Sequence, residues 1–360
     1  MLIPFLFYKI YVANRYNDKF TLMDAPIVTG LMAYGMSGRI FHAPFISTNA
    51  GFNFKGVVER NEKKAGKIYP DITSYHSIQE LLNDDEIELV IVNTPSNLHF
   101  EHTLLALNAG KHVLLEKPAA ATVAEVKELY DTARRLNKHL MVYQNRRYDS
   151  GFLSTKAVIE SGRLGNLIEI TFRMDRYKAA IGVKSFKETK GVPAGGLVYD
   201  LGAHLIDNTI ALFGKPLSFH KTTGMYRDGS EVPDYFHYHL MYPNQLNVYL
   251  TSGLQIAGDT PGFWVNGTLG SFIKNRSDVQ EAQLDKGMMP TDPAYGIEPS
   301  GNEGQLTIVN IDNEKCVETV PSVKGDYNQI FEAVYHTIRN NALYPVTEEH
   351  IAWQLELLEA

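Results

Sequence analysis

From Pro26 to about Asn145, short apolar runs alternate with stretches whose apolar residues recur at helical spacing. "IVTGL" precedes "SGRIFHAPFIST", "FNFKGVVE" precedes "NEKKAGKIYP", "LVIVNTP" precedes "HFEHTLLALNAG", and "HVLLEKP" precedes "ATVAEVKELYDTARRLN" and a last run, "HLMVYQN". Strands that alternate with helices predict a parallel sheet covered on both faces, a doubly wound α/β architecture. After Asn145 the rhythm changes. "LIEITFRMDRY", "SFHKTTGMYR", "YFHYHLMYP", "LNVYLTSGL", "GFWVNGTLGSFIKN" and "QLTIVNI" follow one another with turns between them, which predicts a mostly antiparallel open sheet. Helical patterns break in at "VPAGGLVYDLGAHLIDNTIALFG" and close the chain with "YNQIFEAVYHTIRNN" and "TEEHIAWQLELLEA". The expected class is α/β followed by α+β, with domains over 24–145 and 146–360 and the last helices packing back on the first.

Composition narrows the function classes. The 360 residues suffice for two cores, and 44% hydrophobic with 21% charged residues is ordinary globular usage. The net charge of -7 is dispersed, and no basic stripe with interleaved aromatics points to nucleic acid. One cysteine, Cys316, leaves no internal disulfide and no thiolate cluster, so no metal site is expected and a reducing, cytoplasmic setting fits. The opening "MLIPFLFYKIYVANRYNDKF" is too short and too interrupted to span a bilayer. Residues 1–23 read as an extension outside the fold, with Met23 as an alternative start; a poor signal peptide is the other reading.

"VTGLMAYGMSGRIFH" places a strand, a glycine-bearing turn and a helix start in order. The dinucleotide fingerprint G-x-G-x-x-G falls on Ala33, Gly35 and Gly38, with Tyr34, Met36 and Ser37 between, so its first glycine is missing. Alone, the motif is equally a plain strand-turn-helix connection. Further on, at the end of the next strand, Glu59 and Arg60 stand where the fingerprint expects contact with the adenosine ribose. A carboxylate there suits the 2'-hydroxyl of NAD and an arginine the 2'-phosphate of NADP, while a solvated surface pair is the bland reading.

In an open parallel sheet, ligands sit outside the carboxyl ends of the strands. That rule brings Glu116, Lys117 and Pro118, after "HVLL", to the same crevice as Asn93, Thr94 and Pro95, after "LVIV". A lysine there is open to partial desolvation, which lowers its pKa toward use in proton transfer. In the second half, Asp200 and His204 are spaced to share one helix face, where the acid would orient the ring and stabilise its charged form. Such a pair is more often structural than catalytic.

The ordered set of a "GYG"-like turn, "NTP" with His99, "EKP", "NRR" and the Asp-x-x-x-His helix resembles the glucose-fructose oxidoreductase, inositol dehydrogenase and MocA family, from about Pro26 to the end. "VVER", "VYQNRRYD" and "GTLGS" are most similar to its branch of NADP-dependent scyllo-inositol dehydrogenases. The resemblance implies a Rossmann domain and hydride transfer between NADP, or NAD, and a CH–OH group of a sugar or cyclitol. It assigns Lys117, Asp200 and His204 to the hydroxyl proton, with His204 as immediate acid/base and Lys117 polarising the oxygen, or the two exchanged. It places Asn93, Thr94, Pro95, His99, Glu116 and Gln144 at the cofactor, and Arg147 between cofactor and substrate. Arg173, Arg176 and Tyr177 are weaker substrate candidates. A homodimer or homotetramer through the second sheet is implied. Phe186 stands where relatives often carry tryptophan, and relatives usually run a little beyond Ala360. A cofactor-sensing regulator and a redox-neutral glycosidase are the competing functions; the intact Lys117, Asp200 and His204 argue against the sensor.

Overall fold

The computed structural model describes residues 25–181, 185–277 and 279–360. The expected extension over 1–23 lies outside them, as does the side chain of Phe186. Six parallel strands form the first sheet: β1 (Ile27–Leu31), β2 (Phe52–Val58), β3 (Thr73–Tyr75), β4 (Leu89–Val92), β5 (His112–Glu116) and β6 (Leu140–Tyr143), in the order β3-β2-β1-β4-β5-β6. The order reverses between β1 and β4, which pair directly, Gly30 opposite Val90. Both neighbours therefore deliver their following loops to one crevice. β4 is buried along its whole length, as a strand covered on both faces must be.

Helices α1 (Ala43–Thr48), α2 (Ile78–Leu82), α3 (His99–Asn108) and α4 (Val123–Arg135) make the crossovers. α4 starts with a capping box, Thr122 accepting from the Glu125 amide and Glu125 answering at the Thr122 amide. The stretch "SGRIFHAPFIST" is not one continuous helix. A π-helical turn over Gly38–His42 precedes α1, and Pro44, which lacks an N–H, sits at the junction. "NEKKAGKIYP" yields a single tight turn, Ala65–Lys67, because Gly66 within it and Pro70 after it leave too few residues to propagate a helix.

The second half adds α5 (Ser150–Glu160), β7 (Leu167–Arg173), α6 (Ser185–Glu188), α7 (Ala203–Phe213), β8 (Ser218–Gly224), β9 (Tyr235–Met241), β10 (Asn247–Gly253), β11 (Phe263–Gly267), β12 (Gly270–Lys274), α8 (Val279–Asp285), β13 (Gly304–Val309) and β14 (Lys315–Val320). The eight strands order as β14-β13-β12-β11-β7-β10-β9-β8, antiparallel throughout except for the parallel pair β7 and β10. Ile170, Phe172, Phe236, Leu240, Val248 and Leu250 alternate inward and are fully buried. α5 escapes a periodicity reading because Ser154 and Thr155 stand on its buried face, their hydroxyls satisfied by the Ser150 and Gly151 carbonyls. β14 is an edge strand exposed along nearly its whole length, which leaves no buried face to mark it in the sequence.

The last helices, α9 (Asn328–Asn340) and α10 (Glu348–Glu359), return to the first domain. Phe331 of α9 stacks on Phe45 of α1 at 4.9 Å, and Arg339 reaches Glu88 with two hydrogen bonds of 2.8 Å. No helix among the described residues is long and apolar enough to cross a membrane.

Candidate active site

A cleft of about 660 Å³ lies between the carboxyl ends of β1, β4 and β5 and the residues before α7. Its floor begins at the turn after β1. Asn93 clamps the Ala33 peptide from both sides, accepting from its N–H at 3.0 Å and donating to its carbonyl at 2.8 Å. Ala33 does not adopt the left-handed conformation that would demand glycine, so the missing first glycine of the fingerprint carries no steric penalty. Gly38 is different: a Cβ there would stand 2.2 Å from the Ala33 carbonyl oxygen and 2.8 Å from the Asn93 amide nitrogen. At Gly35 a Cβ would meet nothing within 4 Å, and the residue lines the cleft. The empty space over Gly35 is where a pyrophosphate can approach backbone closely, so the turn fits a dinucleotide.

Ser37 and Glu116 close this end. Glu116 Oε1 accepts from Ser37 Oγ at 2.7 Å and contacts His42 Nε2 at 2.9 Å. Burial pushes the Glu116 carboxyl up, but the His42 and Ser37 hydrogen bonds and the Lys117 charge outweigh it and hold the group at about 2. The Lys117–Pro118 peptide is cis. His99 is buried between the two loops, one ring nitrogen 2.7 Å from the Pro118 carbonyl and the other 2.9 Å from that of Thr94. It therefore ties the "NTP" loop to the "EKP" loop.

Lys117 crosses to the second half of the chain. Its Nζ donates to the Asp200 carbonyl at 2.7 Å and to Asp200 Oδ1 at 3.3 Å, and Lys187 Nζ shares that carboxylate oxygen at 2.7 Å. Burial lowers the Lys117 ammonium, and Lys187 adds to this while Asp200 opposes it. Despite its own burial, the Asp200 carboxyl is held far below its usual range by Lys117 and Lys187. The expected Asp200–His204 hydrogen bond does not form. A π-helical turn over Val198–Gly202 precedes α7, and the two lysines take the carboxylate instead. His204 is 6% exposed, lines the cleft, and has Nδ1 buried with no hydrogen-bond partner. Burial first, then the Lys117 and Arg146 charges, push it well below the ordinary histidine value, so the imidazole is neutral near pH 7. The structure thus offers a neutral imidazole where the spacing suggested one stabilised in its charged form.

The remaining sequence candidates divide. Ala33, Gly35, Met36, Ser37, Asn93, Thr94, Pro95, His99, Glu116 and Arg176 line the cleft with Lys117, Asp200 and His204. Tyr34 packs its ring against the core beneath the sheet, its hydroxyl buried. Glu59 is buried at the end of β2, where its carboxylate accepts from the Lys64 amide at 2.7 Å, the Ala65 amide at 3.1 Å and Ser74 Oγ at 2.8 Å. A carboxylate so occupied is not presented to a ribose. Arg60 beside it is exposed, and its charge reaches His102, which bonds Thr94 Oγ1 at the cleft margin. Gln144 is buried and donates to Gln354 Oε1 at 3.2 Å, outside the cleft. Arg147 is likewise buried away from it, forked onto Asp207 at 2.8 and 2.7 Å. The tight turn over Asn145–Tyr148 aims Arg146, not Arg147, into the cleft. Arg173 lies on the other face of β7 and bonds Asp175, while Tyr177 points outward and is 66% exposed. Lys178, Lys187, Arg227 and Arg276 also line the cleft and were not singled out by sequence. Only Lys178 carried a usable signal, strand alternation from Arg176. Among the described residues no group of three or more histidine, cysteine or acidic side chains could hold a metal.

Known proteins share this fold. The oxidoreductase family model for an NAD-binding Rossmann fold matches residues 28–144, and the model for the family's C-terminal alpha/beta domain matches residues 156–360. An uncharacterized oxidoreductase of Schizosaccharomyces pombe is 38% identical over 354 residues, 93% of this chain and 96% of that protein. The scyllo-inositol 2-dehydrogenase (NADP(+)) IolW of Bacillus subtilis is 35% identical over 334 residues, 93% of this chain and 92% of that one. Among solved structures, the oxidoreductase yvaA from Bacillus subtilis superposes with a TM-score of 0.88 at 34% identity, covering 94% of this chain and 95% of its own.

Proposed function

Since the chain belongs to the Gfo/Idh/MocA oxidoreductase family, with its NAD-binding Rossmann domain, we propose that it is an NADP-preferring dehydrogenase of a CH–OH group on a cyclitol or sugar. The observation that carries this reading is the meeting of Lys117 and a neutral His204 in the same cleft as the open turn at Gly35. Gly35, Ser37 and the Asn93-braced turn would hold the pyrophosphate, and Thr94, Pro95 and Lys117 the nicotinamide side. When bound, the nicotinamide supplies the hydride acceptor.

The chain's own side chains handle the proton. The Nδ1 of His204 is sealed, so its Nε2 takes the hydroxyl proton as the C–H bond breaks and the carbonyl forms. The Lys117 ammonium stabilises the negative charge that develops on that oxygen. Asp200 acts on Lys117 rather than on His204, fixing the ammonium through both its carbonyl and its carboxylate. Preference for NADP rests on Arg60 being available and Glu59 being occupied, and the NADP dependence of the Bacillus subtilis relative points the same way. A second copy of the chain would cover the open face of the eight-stranded sheet, where Trp264 is 44% and Val317 60% exposed.

The test is incubation with NADP and a panel of scyllo-inositol, myo-inositol and aldoses, followed by the near-ultraviolet absorbance of reduced nicotinamide. Reduction with at least one of them is expected. NADP binding without reduction by any polyol, and without oxidation of NADPH by the corresponding ketones, sinks the reading.

A further inference from the structure

We propose that the polyol oxidised in this cleft carries an anionic group, a phosphate monoester or a carboxylate, gripped by Arg176 and Lys178; the proposal rests on the dehydrogenase reading above and names its substrate class. Seven lysine and arginine side chains line the cleft against four carboxylates, in a chain whose net charge is -7. Every one of those carboxylates is engaged: Glu116 with His42, Asp200 with Lys117 and Lys187, Glu188 with Arg227, and Glu281 with Arg146. Arg176 and Lys178 have no side-chain hydrogen bond or ion pair with any described residue. Both are exposed and solvated in the free protein, which leaves them open to an anion that enters with the polyol.

Arg176 and Lys178 are carried by the second domain, not by the first, whose turn and Arg60 serve the cofactor's phosphates in the reading above. Their backbone is not a loose loop. The Arg176 amide continues β7 along β10, donating to the Gly253 carbonyl at 3.0 Å, and beyond it an antiparallel bridge to the residues after β10 holds the segment, the Lys178 amide donating to the Leu254 carbonyl at 2.7 Å and the Ile256 amide to that of Arg176 at 3.2 Å. Asp175 pins the start of this rail, accepting from the Gly253 amide at 3.0 Å and Thr260 Oγ1 at 2.8 Å. Tyr177 forms an isolated bridge with Gln255 and points the other way. Alternation therefore sends Arg176 and Lys178 to the same side, leaving the backbone about 7 Å apart, a spacing that two long cationic side chains close around one anion.

The experiment titrates NADP-saturated protein calorimetrically with two neutral compounds and their charged forms: myo-inositol and myo-inositol 1-phosphate, glucose, glucose 6-phosphate and glucuronate. At least one anion should bind about 10- to 100-fold tighter than its neutral parent, the worth of one charge-assisted hydrogen bond, and the advantage should shrink with added salt. In the doubly substituted R176Q/K178Q protein, with unfolding temperature as the check on folding, that advantage should vanish. Preference for the phosphates alone, or for glucuronate alone, identifies which anion the pair reads. Equal binding of charged and neutral forms, or an advantage that survives R176Q/K178Q, overturns the proposal. Reduction of NADP by neutral polyols without an anion preference removes this inference and keeps the dehydrogenase. Tight anion binding with no redox turnover of any compound removes the dehydrogenase reading, and with it the claim that the bound anion is a substrate.

Discussion

Glu59 and Arg60 are adjacent, yet their substitution should have opposite consequences. Glu59→Ala removes the acceptor of three hydrogen bonds, two from backbone amides and one from Ser74. At about 1 kcal/mol net per bond lost, the cost is about 3 kcal/mol of stability. At about 2–4 °C per kcal/mol, the midpoint of thermal unfolding falls by roughly 6–12 °C. The ratio of NAD to NADP affinity should stay as it is, because that carboxylate faces the Lys64–Ala65 turn. Arg60→Ala touches no packed partner and should leave unfolding unchanged. It removes the charge-assisted contact expected with the 2'-phosphate, worth about 1.5–3 kcal/mol, so NADP affinity should drop about 10- to 100-fold while NAD affinity holds. Thermal unfolding followed by circular dichroism, with calorimetric titration of both cofactors, separates the two outcomes. Weaker NAD binding by Glu59→Ala without loss of stability, or an intact NADP preference in Arg60→Ala, would refute these two roles.

Three further expectations follow from the cleft and its surroundings. Lys117→Ala should lower turnover by about 100- to 1,000-fold, the range for losing one group that stabilises the charge developing on the oxygen. The pH profile carries the sign. His204 must be neutral to accept a proton and its pKa is depressed, so polyol oxidation should hold steady from neutral pH down past the ordinary histidine range; because Lys117 is one of the charges depressing it, residual activity of Lys117→Ala should fall off at a higher pH. An unmoved acid limb would show that another group is the base. Arg147→Met leaves Asp207 buried and unpaired and should cost about 3–5 kcal/mol in chemical denaturation, with the double change Arg147→Met, Asp207→Leu recovering much of it; a raised KM at full stability would return Arg147 to the substrate.

The sequence by itself determined the two-sheet architecture and the neighbourhood of the site. Alternating apolar runs and helical periods need both faces of a parallel sheet covered, and such a sheet leaves its loops at the carboxyl ends of the strands, which is why "NTP", "EKP" and the glycine turn meet. Local pattern could not report which way a side chain turns once several elements compete for it. Tertiary structure decided that Glu59 serves a buried turn and Arg60 stays outside, that Arg146 enters the cleft and Arg147 is spent on Asp207, and that two lysines take Asp200 away from His204. These choices rest on partners far along the chain, as with Lys117 and Asp200, 83 positions apart, or Arg147 and Asp207, 60 apart. A buried charge must find its partner wherever folding brings one, and sequence spacing holds no record of that partner.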